Sequence, residues 1–368
     1  VAAALISWLT SIPVLNVTVI TGQLLNILAI LTLVPLAVRF GSKNKWMGIG
    51  TVLVAGLLSP TPAIYVNWGR YAQLAGLAIL PVTLWLLWEL AGSPQEIWEK
   101  RFRLNQLATL LLSGILIAGM VLSYYRMVFY LVFFIIAWLQ IWGLIKWKQQ
   151  MGLWGKAILT LMGVAAISII TILPWVLRVT GSTLAGAVAA GISIGSTLER
   201  VLADYQVWRE ILTYVPTFLL AAVTFALIWA AIRRRWIIFL LPLWMLFLTL
   251  YIGGQLLNLP GANMIQSFTI LISLYIPIGL LVGWLIDDSV LLLDMRRPIA
   301  GTIAISVILI CLGLWGASNL RVISNPEFYA LVRRPDIHAM SWIRENIPPG
   351  ERILVEGYTI NGAQTAVG

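Results

Sequence analysis

The chain has one cysteine and one histidine in 368 residues, and only 10% of its residues are charged. The single thiol, Cys311, excludes an intrachain disulfide and a cysteine-based metal cluster. The single imidazole, His338, excludes a site built from several histidines. The scarcity of charge excludes an ordinary water-soluble domain, in which about a quarter of the residues are charged. With 60% hydrophobic residues and a mean hydropathy of +0.94, the composition is that of a polytopic membrane protein.

The charges that are present are mostly basic, and the formal net charge is +10. In a soluble protein this balance would favour a nucleic-acid partner. Here most lysines and arginines lie in short loops beside apolar segments, where membrane orientation accounts for them. We therefore expect membrane lipid, and no nucleic acid, as a partner.

Ten apolar segments are long enough to cross about 30 Å of hydrocarbon, which takes roughly 20 helical residues. They are residues 17–39, 46–66, 70–90, 104–124, 126–145, 156–177, 211–232, 236–257, 265–286 and 298–318. The sequence thus predicts an all-α polytopic membrane protein with about ten transmembrane helices, forming a domain of residues 1–319. The very short turns at Arg70 and Arg126 are interpreted as the turns of helical hairpins.

The distribution of lysine predicts the orientation of these helices. All six lysines fall in or directly after the loops that follow the first, third and fifth segments, and the loops after the seventh and ninth carry arginines. By the positive-inside rule these loops are cytoplasmic. The N-terminal stub and the tail after residue 318 are then outside, in a multi-pass protein of the plasma membrane.

Three regions outside the ten segments have patterns of their own. Residues 93–105 are typical of a short interfacial helix on the cytoplasmic side. Residues 178–210 combine a Gly/Ala/Ser-rich run with an amphipathic helix, which predicts a lid-like external loop. Residues 320–368 are more polar and predict a helix, a turn at 348–350 and a strand, the start of a truncated external α/β domain.

The external cations before the tail are all arginines, and two of them are candidates for substrate binding. The planar guanidinium binds phosphate at two points and keeps its charge at a low-dielectric surface. Arg70 and Arg126 occupy turns too short to need an anchor. Trp68, Tyr71 and Tyr125 beside them suit a sugar-phosphate pocket as well as an aromatic belt at the membrane interface. The alternative is that both arginines are interfacial anchors whose stems lie in lipid.

Three acidic residues share the predicted outer face: Glu199, Asp204 and Glu210. Carboxylates there could bind a divalent cation beside a phosphate or act as a base toward an acceptor hydroxyl. The alternative is that they are solvated residues of the amphipathic helix, paired with nearby arginines.

No charged residue is expected deep in the membrane. Asp287, Asp288 and Asp294 are interpreted as part of a charged cytoplasmic loop beside Arg296 and Arg297. Ion-coupled transporters usually place a charge at mid-membrane, so this distribution argues against transport.

Four stretches carry a resemblance to a known family. They are PAIYVNWGRYAQLAGLAILP (62–81), SYYRMVFYLVFF (123–134), LNLPGANMIQSFTILISLYIP (257–277) and PDIHAMSWIRENIPPGERILVEG (335–357). With the many apolar segments, they resemble bacterial membrane glycosyltransferases of the GT-C type. More distantly they are similar to oligosaccharyltransferase catalytic subunits and protein O-mannosyltransferases.

The resemblance implies transfer of a sugar from a polyprenyl-phosphate donor to an acceptor at the outer face, with a divalent cation such as Mg²⁺ or Mn²⁺. It also implies a catalytic Asp or Glu in the first external loop. Residues 1–16 contain neither, so we expect that carboxylate to lie upstream of Val1 or to be absent. Two other classes stay open: a non-catalytic transporter or flippase of lipid-linked saccharides, and a structural or sensing membrane protein whose tail binds a partner.

Overall fold

A computed structural model describes residues 2–41, 45–92, 104–146, 151–179, 197–294, 298–323, 334–348 and 351. Every regular element in these ranges is a helix. The chain divides into two compact units, residues 1–324 and 325–368.

The first half of the larger unit consists of nine helices. They are α1 (Ala2–Thr10), α2 (Val14–Leu31), α3 (Leu33–Phe40), α4 (Lys45–Leu53, continued by a π-helical turn over Val54–Leu58), α5 (Ala63–Asn67), α6 (Tyr71–Gly92), α7 (Leu104–Tyr124), α8 (Met127–Lys146) and α9 (Met151–Val179).

The second half contains seven α-helices and four 3₁₀ turns. The helices are α10 (Leu198–Gln206), α11 (Ile211–Tyr214), α12 (Thr217–Ile232), α13 (Leu240–Gly253), α14 (Ser267–Ser273), α15 (Tyr275–Asp294) and α16 (Pro298–Ile323). The 3₁₀ turns are Val207–Glu210, Trp236–Phe239, Gly254–Leu257 and Ala262–Met264.

Within the described residues, eight helical segments are long and apolar enough to cross a membrane, or nine if a bent pair counts as one. The bent pair is Leu198–Tyr214 with Thr217–Ile232, which meet at 99°. The ten predicted segments all contain helix, but the helix in 46–66 is too short to count as a span and 211–232 is broken at residues 215 and 216, so the described residues hold eight or nine spans instead of about ten. The protein is therefore an all-α, multi-pass membrane protein, as predicted.

The predicted second span, 46–66, is wrong in its length. Its helix ends at Leu58, where Pro60 and Pro62 follow, and proline lacks the amide that continues a helix. The chain then turns through Ser59 and Thr61, both buried, before the short helix α5. Lys45–Leu58 is only 14 residues, about 21 Å at 1.5 Å per residue.

Helix α15 lies at the centre of the bundle. Within Ser267–Leu292, 83% of an 18-residue apolar stretch is buried inside the protein, whereas only 17% of such a stretch within Gly301–Leu320 in α16 is buried. Helix α15 packs closely against α4. Gly279 and Gly283 of α15 allow its backbone to approach Thr51 of α4. Small residues four positions apart allow such close approach of membrane helices.

The turns at Arg70 and Arg126 lie at the same end of the bundle. Helix α6 begins directly after Arg70, and α7 and α8 meet at Arg126. A Cβ atom at Gly76, in the second turn of α6, would be 2.9 Å from Met127 Cγ and 3.2 Å from Tyr124 Cβ. The two predicted hairpin turns are thus adjacent in space.

The smaller unit contains one described helix, α17 (Arg334–Asn346), in agreement with the predicted tail helix. The predicted strand after residue 350 lies outside the described residues, as do residues 93–103 of the predicted interfacial helix (93–105) and the Gly/Ala/Ser-rich run over 180–196. The α/β character of the tail and the lid-like nature of that run therefore stay predictions.

Candidate anion-binding site

Arg70 is fixed by the way one helix ends and the next begins. At the end of α5, the Gly69 amide donates to Val66 O (3.1 Å) and the Arg70 amide donates to Tyr65 O (3.0 Å). This is the Schellman pattern, which needs a left-handed residue, and Gly69 has φ +64°. The Arg70 carbonyl then accepts from Leu74 in the first turn of α6 (3.0 Å). The backbone of Arg70 therefore belongs to both helix ends.

The guanidinium of Arg70 lies close to two aromatic rings. Its Cζ is 5.4 Å from the centre of the Trp68 ring and 5.3 Å from that of Phe268, the second residue of α14. Cation–π contacts of this kind hold a cation in place without neutralising it. The Nη1 atom also donates a long hydrogen bond to Gln73 Oε1 (3.5 Å).

Arg126 has a similar aromatic setting in the turn between α7 and α8. Its Cζ lies 5.8 Å from the Tyr124 ring centre and 6.0 Å from that of Tyr125, and Nη1 donates to the Tyr124 hydroxyl (3.4 Å). Burial alone would lower the pKa of Arg126, but the hydroxyls of Tyr124 and Tyr125 more than offset this and raise it. The side chain is therefore cationic, and its buried Nε has no hydrogen-bond partner among the described residues.

A layer of buried tyrosines lies next to the two arginines. The Tyr130 hydroxyl donates to Thr269 O (2.9 Å) and accepts from the Ser273 hydroxyl (3.0 Å). Tyr65 is close enough to Arg70, Tyr130 and Tyr275 to interact with them electrostatically. Within the described residues, the buried hydroxyls of Tyr65 and Tyr275 have no hydrogen-bond partner. Because buried polar groups are nearly always paired, these hydroxyls are free to bind a polar ligand.

Neither arginine is neutralised by a carboxylate in the part of the chain that the structure describes. The ion pairs found there are Arg39–Glu89 (3.3 Å) and Arg233–Asp288 (3.3 Å). Two guanidinium groups held by aromatic rings, next to unpaired hydroxyl donors, form a site suited to an anion with several acceptor oxygens. We call the set Trp68, Arg70, Tyr124, Arg126 and Phe268 the arginine site.

The predicted site residues are brought together in part. Trp68 and Tyr125 contact the two arginines, as described. Tyr71 instead packs against α2, where a Cβ at Gly22 would be 2.6 Å from Tyr71 Cε1.

Sequence reasoning missed Phe268 and Tyr275. Phe268 and Tyr275 lie in the stretch 257–277 that carries the family resemblance. The aromatic and hydroxyl residues of the stretch 257–277 are the signal that could have identified Phe268 and Tyr275.

The three predicted acidic residues lie near this end of the bundle but do not form a cluster. The Asp204 carboxylate accepts a hydrogen bond from the Ser267 amide (2.9 Å), and Glu199 and Glu210 are exposed. Within the described residues, no group of three or more His, Cys, Asp or Glu side chains could hold a metal ion. A bound divalent cation stays a prediction.

The interpretation of Asp287 and Asp288 as residues of a charged loop is wrong. Both are buried in α15, with exposed fractions of 1% and 2%. Asp288 accepts from Trp229 Nε1 (2.8 Å) and pairs with Arg233, both at the end of α12. Arg233 is 55 residues away along the chain, so its pairing with Asp288 is a tertiary contact.

No protein-family model, curated protein or solved structure matches this chain. The class of the protein, an all-α multi-pass membrane protein, follows from its helices alone.

Proposed function

We propose that the protein is a membrane glycosyltransferase of the GT-C type, which moves a sugar from a polyprenyl-phosphate donor to an acceptor. The observation that carries the proposal is the arginine site: two guanidinium groups in adjacent turns, without a carboxylate partner among the described residues, at one end of a membrane-spanning bundle. A lipid-linked phosphate is an anion that reaches such a site from the membrane. The sequence pattern supports the same choice through its resemblance to that family.

Each arginine has a defined task in this reaction. The acceptor hydroxyl attacks the anomeric carbon with inversion, the carbon–oxygen bond to phosphate breaks, and the polyprenyl phosphate leaves with the bonding electrons. Arg70 and Arg126 stabilise the negative charge on the leaving phosphate because they are fixed before the reaction begins. Unpaired hydroxyls such as those of Tyr65 and Tyr275 bind sugar or phosphate oxygens. The base that takes the acceptor proton is assigned, through the resemblance, to a carboxylate of the first external loop.

The proposal includes the location of the site. The lysine distribution supports an external position for the Arg70 end of the bundle. The donor would then be used at the outer face.

The test compares purified wild type with Arg70→Ala and Arg126→Ala, using a radiolabelled polyprenyl-phosphate sugar. A charge-assisted hydrogen bond contributes about 1.5–3 kcal/mol, so each variant should lose roughly 10- to 100-fold in donor affinity or transfer rate. The matched control is Arg209→Ala, since Arg209 is exposed and lies outside the arginine site. Full transfer by both Arg70→Ala and Arg126→Ala would refute the roles assigned to these residues.

A second candidate function, transport of a lipid-linked saccharide, is favoured by the buried pair Asp287 and Asp288. Carboxylates inside a spanning helix are typical of proton- or ion-coupled transporters. Flipping of a fluorescent lipid-linked saccharide in proteoliposomes, abolished in Asp287→Asn, would support it. Transfer without flipping would exclude it.

A further inference from the structure

The arginine site is connected to a segment that the proposed chemistry does not use. This segment, residues 197–214, contains α10, the 3₁₀ turn Val207–Glu210 and α11, and we call it the connecting segment. It is attached to the bundle at several points. Val201 is buried, and the Tyr205 hydroxyl donates to Thr249 O in α13 (2.6 Å).

The connecting segment also determines where α14 begins. The first amides of a helix need acceptors, which the preceding residue usually supplies with its side chain. Gln266, at that position, makes no such hydrogen bond. Asp204, which lies 63 residues earlier in the chain, supplies the missing acceptor. Its Oδ2 accepts a hydrogen bond from the Ser267 amide at 2.9 Å.

Fixing Ser267 fixes the next residue, Phe268, whose ring lies 5.3 Å from the Arg70 guanidinium carbon. The end of the connecting segment touches the same rings. Tyr214 packs edge-on against Trp68 (6.2 Å) and against Phe268 (5.6 Å). The two rings beside Arg70 are therefore both in contact with the connecting segment, and one of them is attached to the residue that Asp204 caps.

We propose that Asp204 is a positioning residue for Arg70: its carboxylate fixes the start of α14, which presents Phe268 to the guanidinium. Asp204 thereby links the connecting segment to phosphate binding without touching the phosphate. The inference rests on the proposed function only for the identity of the anion. The geometric link between Asp204 and Arg70 stands without it.

The experiment measures the reaction of Arg70 with phenylglyoxal in the full-length protein in nanodiscs, followed by peptide mass spectrometry. Asp204→Ala removes the acceptor, whereas Asp204→Asn keeps a side-chain oxygen that can accept from the Ser267 amide. Glu199→Ala is the matched control, because Glu199 is an exposed carboxylate on the same helix. Labelling of Arg126 in the same samples reports whether the protein is still folded.

We expect Asp204→Ala to increase Arg70 labelling by roughly threefold or more, in line with the loss of a helix cap. Asp204→Asn and Glu199→Ala should stay near the wild-type value, and Arg126 labelling should not change. Phe268→Leu, which removes the ring and leaves the cap intact, should also increase Arg70 labelling. Wild-type labelling in Asp204→Ala and Phe268→Leu, or an equal increase in Glu199→Ala, would overturn the proposal.

Transfer assays on the same variants separate this inference from the proposed function. If the protein is the proposed enzyme, Asp204→Ala should raise KM for the donor more than it lowers kcat, and Asp204→Asn should restore KM. If wild type transfers no sugar, the glycosyltransferase proposal fails, while the labelling comparison still decides the role of Asp204.

Discussion

Replacing Gly283 by alanine tests the packing at the centre of the bundle. A Cβ atom at this position would lie 2.3 Å from Thr51 Oγ1, 2.8 Å from the Thr51 amide nitrogen and 2.8 Å from Met47 O. The Thr51 hydroxyl can rotate away, but the two backbone atoms cannot. Helices α4 and α15 must then separate by roughly half an ångström or more to restore normal contact distances.

The loss in free energy of unfolding expected for Gly283→Ala follows from the size of this clash. Overpacking of a close-packed interior typically costs about 1–3 kcal/mol, and we expect Gly283→Ala to lie in the upper part of that range. Gly279 is less constrained, since its Cβ would be 3.3 Å from Thr51 O, so Gly279→Ala should cost less. The control is Gly163→Ala in α9, where the nearest neighbour would be Leu110 Cδ1 at an ordinary 3.8 Å.

The assay is the free energy of unfolding in bicelles, measured by steric trapping for all three variants. The expected order of destabilisation is Gly283→Ala, then Gly279→Ala, then Gly163→Ala, which should be neutral or slightly stabilising because alanine favours helix. If Gly283→Ala were as stable as Gly163→Ala, the close approach of α4 and α15 described above would be refuted.

Two further predictions concern buried polar groups. Tyr130→Phe should cost about 0.5–1.5 kcal/mol, because it removes the donor to Thr269 O while the Ser273 hydroxyl keeps Ile270 O as an acceptor; an unchanged free energy of unfolding would contradict it. Arg233→Ala should be destabilising, and adding Asp288→Asn should restore part of the loss, because the cost comes from a buried carboxylate left without its cation. A double variant less stable than Arg233→Ala in the same assay would count against this account.

Hydropathy predicted the positions of most of the apolar helices because a membrane-spanning segment is defined by local composition. It overestimated their number, ten against eight or nine among the described residues, and it failed at residues 59–66, where composition stays apolar but the helix does not continue. There the π-helical turn at Val54–Leu58 and the two prolines end it. The bend between α11 and α12 was missed for the same reason, since a hydropathy window records how apolar a stretch is and carries no information on its direction.

The candidate site was predicted in part. Arg70 and Arg126 were identified from their turns, and the rings of Trp68 and Tyr125 are local neighbours in sequence. Phe268 lies about 200 residues from Arg70, and a contact over that separation depends on tertiary packing. The pairing of Asp288 with Arg233 escaped prediction for the same reason, since arginines nearer in sequence offered a local explanation.

The early end of the α4 helix has a consequence for how the site meets the bilayer. The helix ends at Leu58 before a full 30 Å has been crossed, and residues 59–62 have irregular backbone before the short helix α5. Such backbone is tolerated at that depth only where protein encloses it or where it borders water. We therefore expect a depression in the protein surface at the Arg70 end, in which phosphate head groups and water reach below the surrounding lipid carbonyls. In the proposed enzyme, a donor lipid would then place its phosphate beside Arg70 without lifting its prenyl chain out of the hydrocarbon.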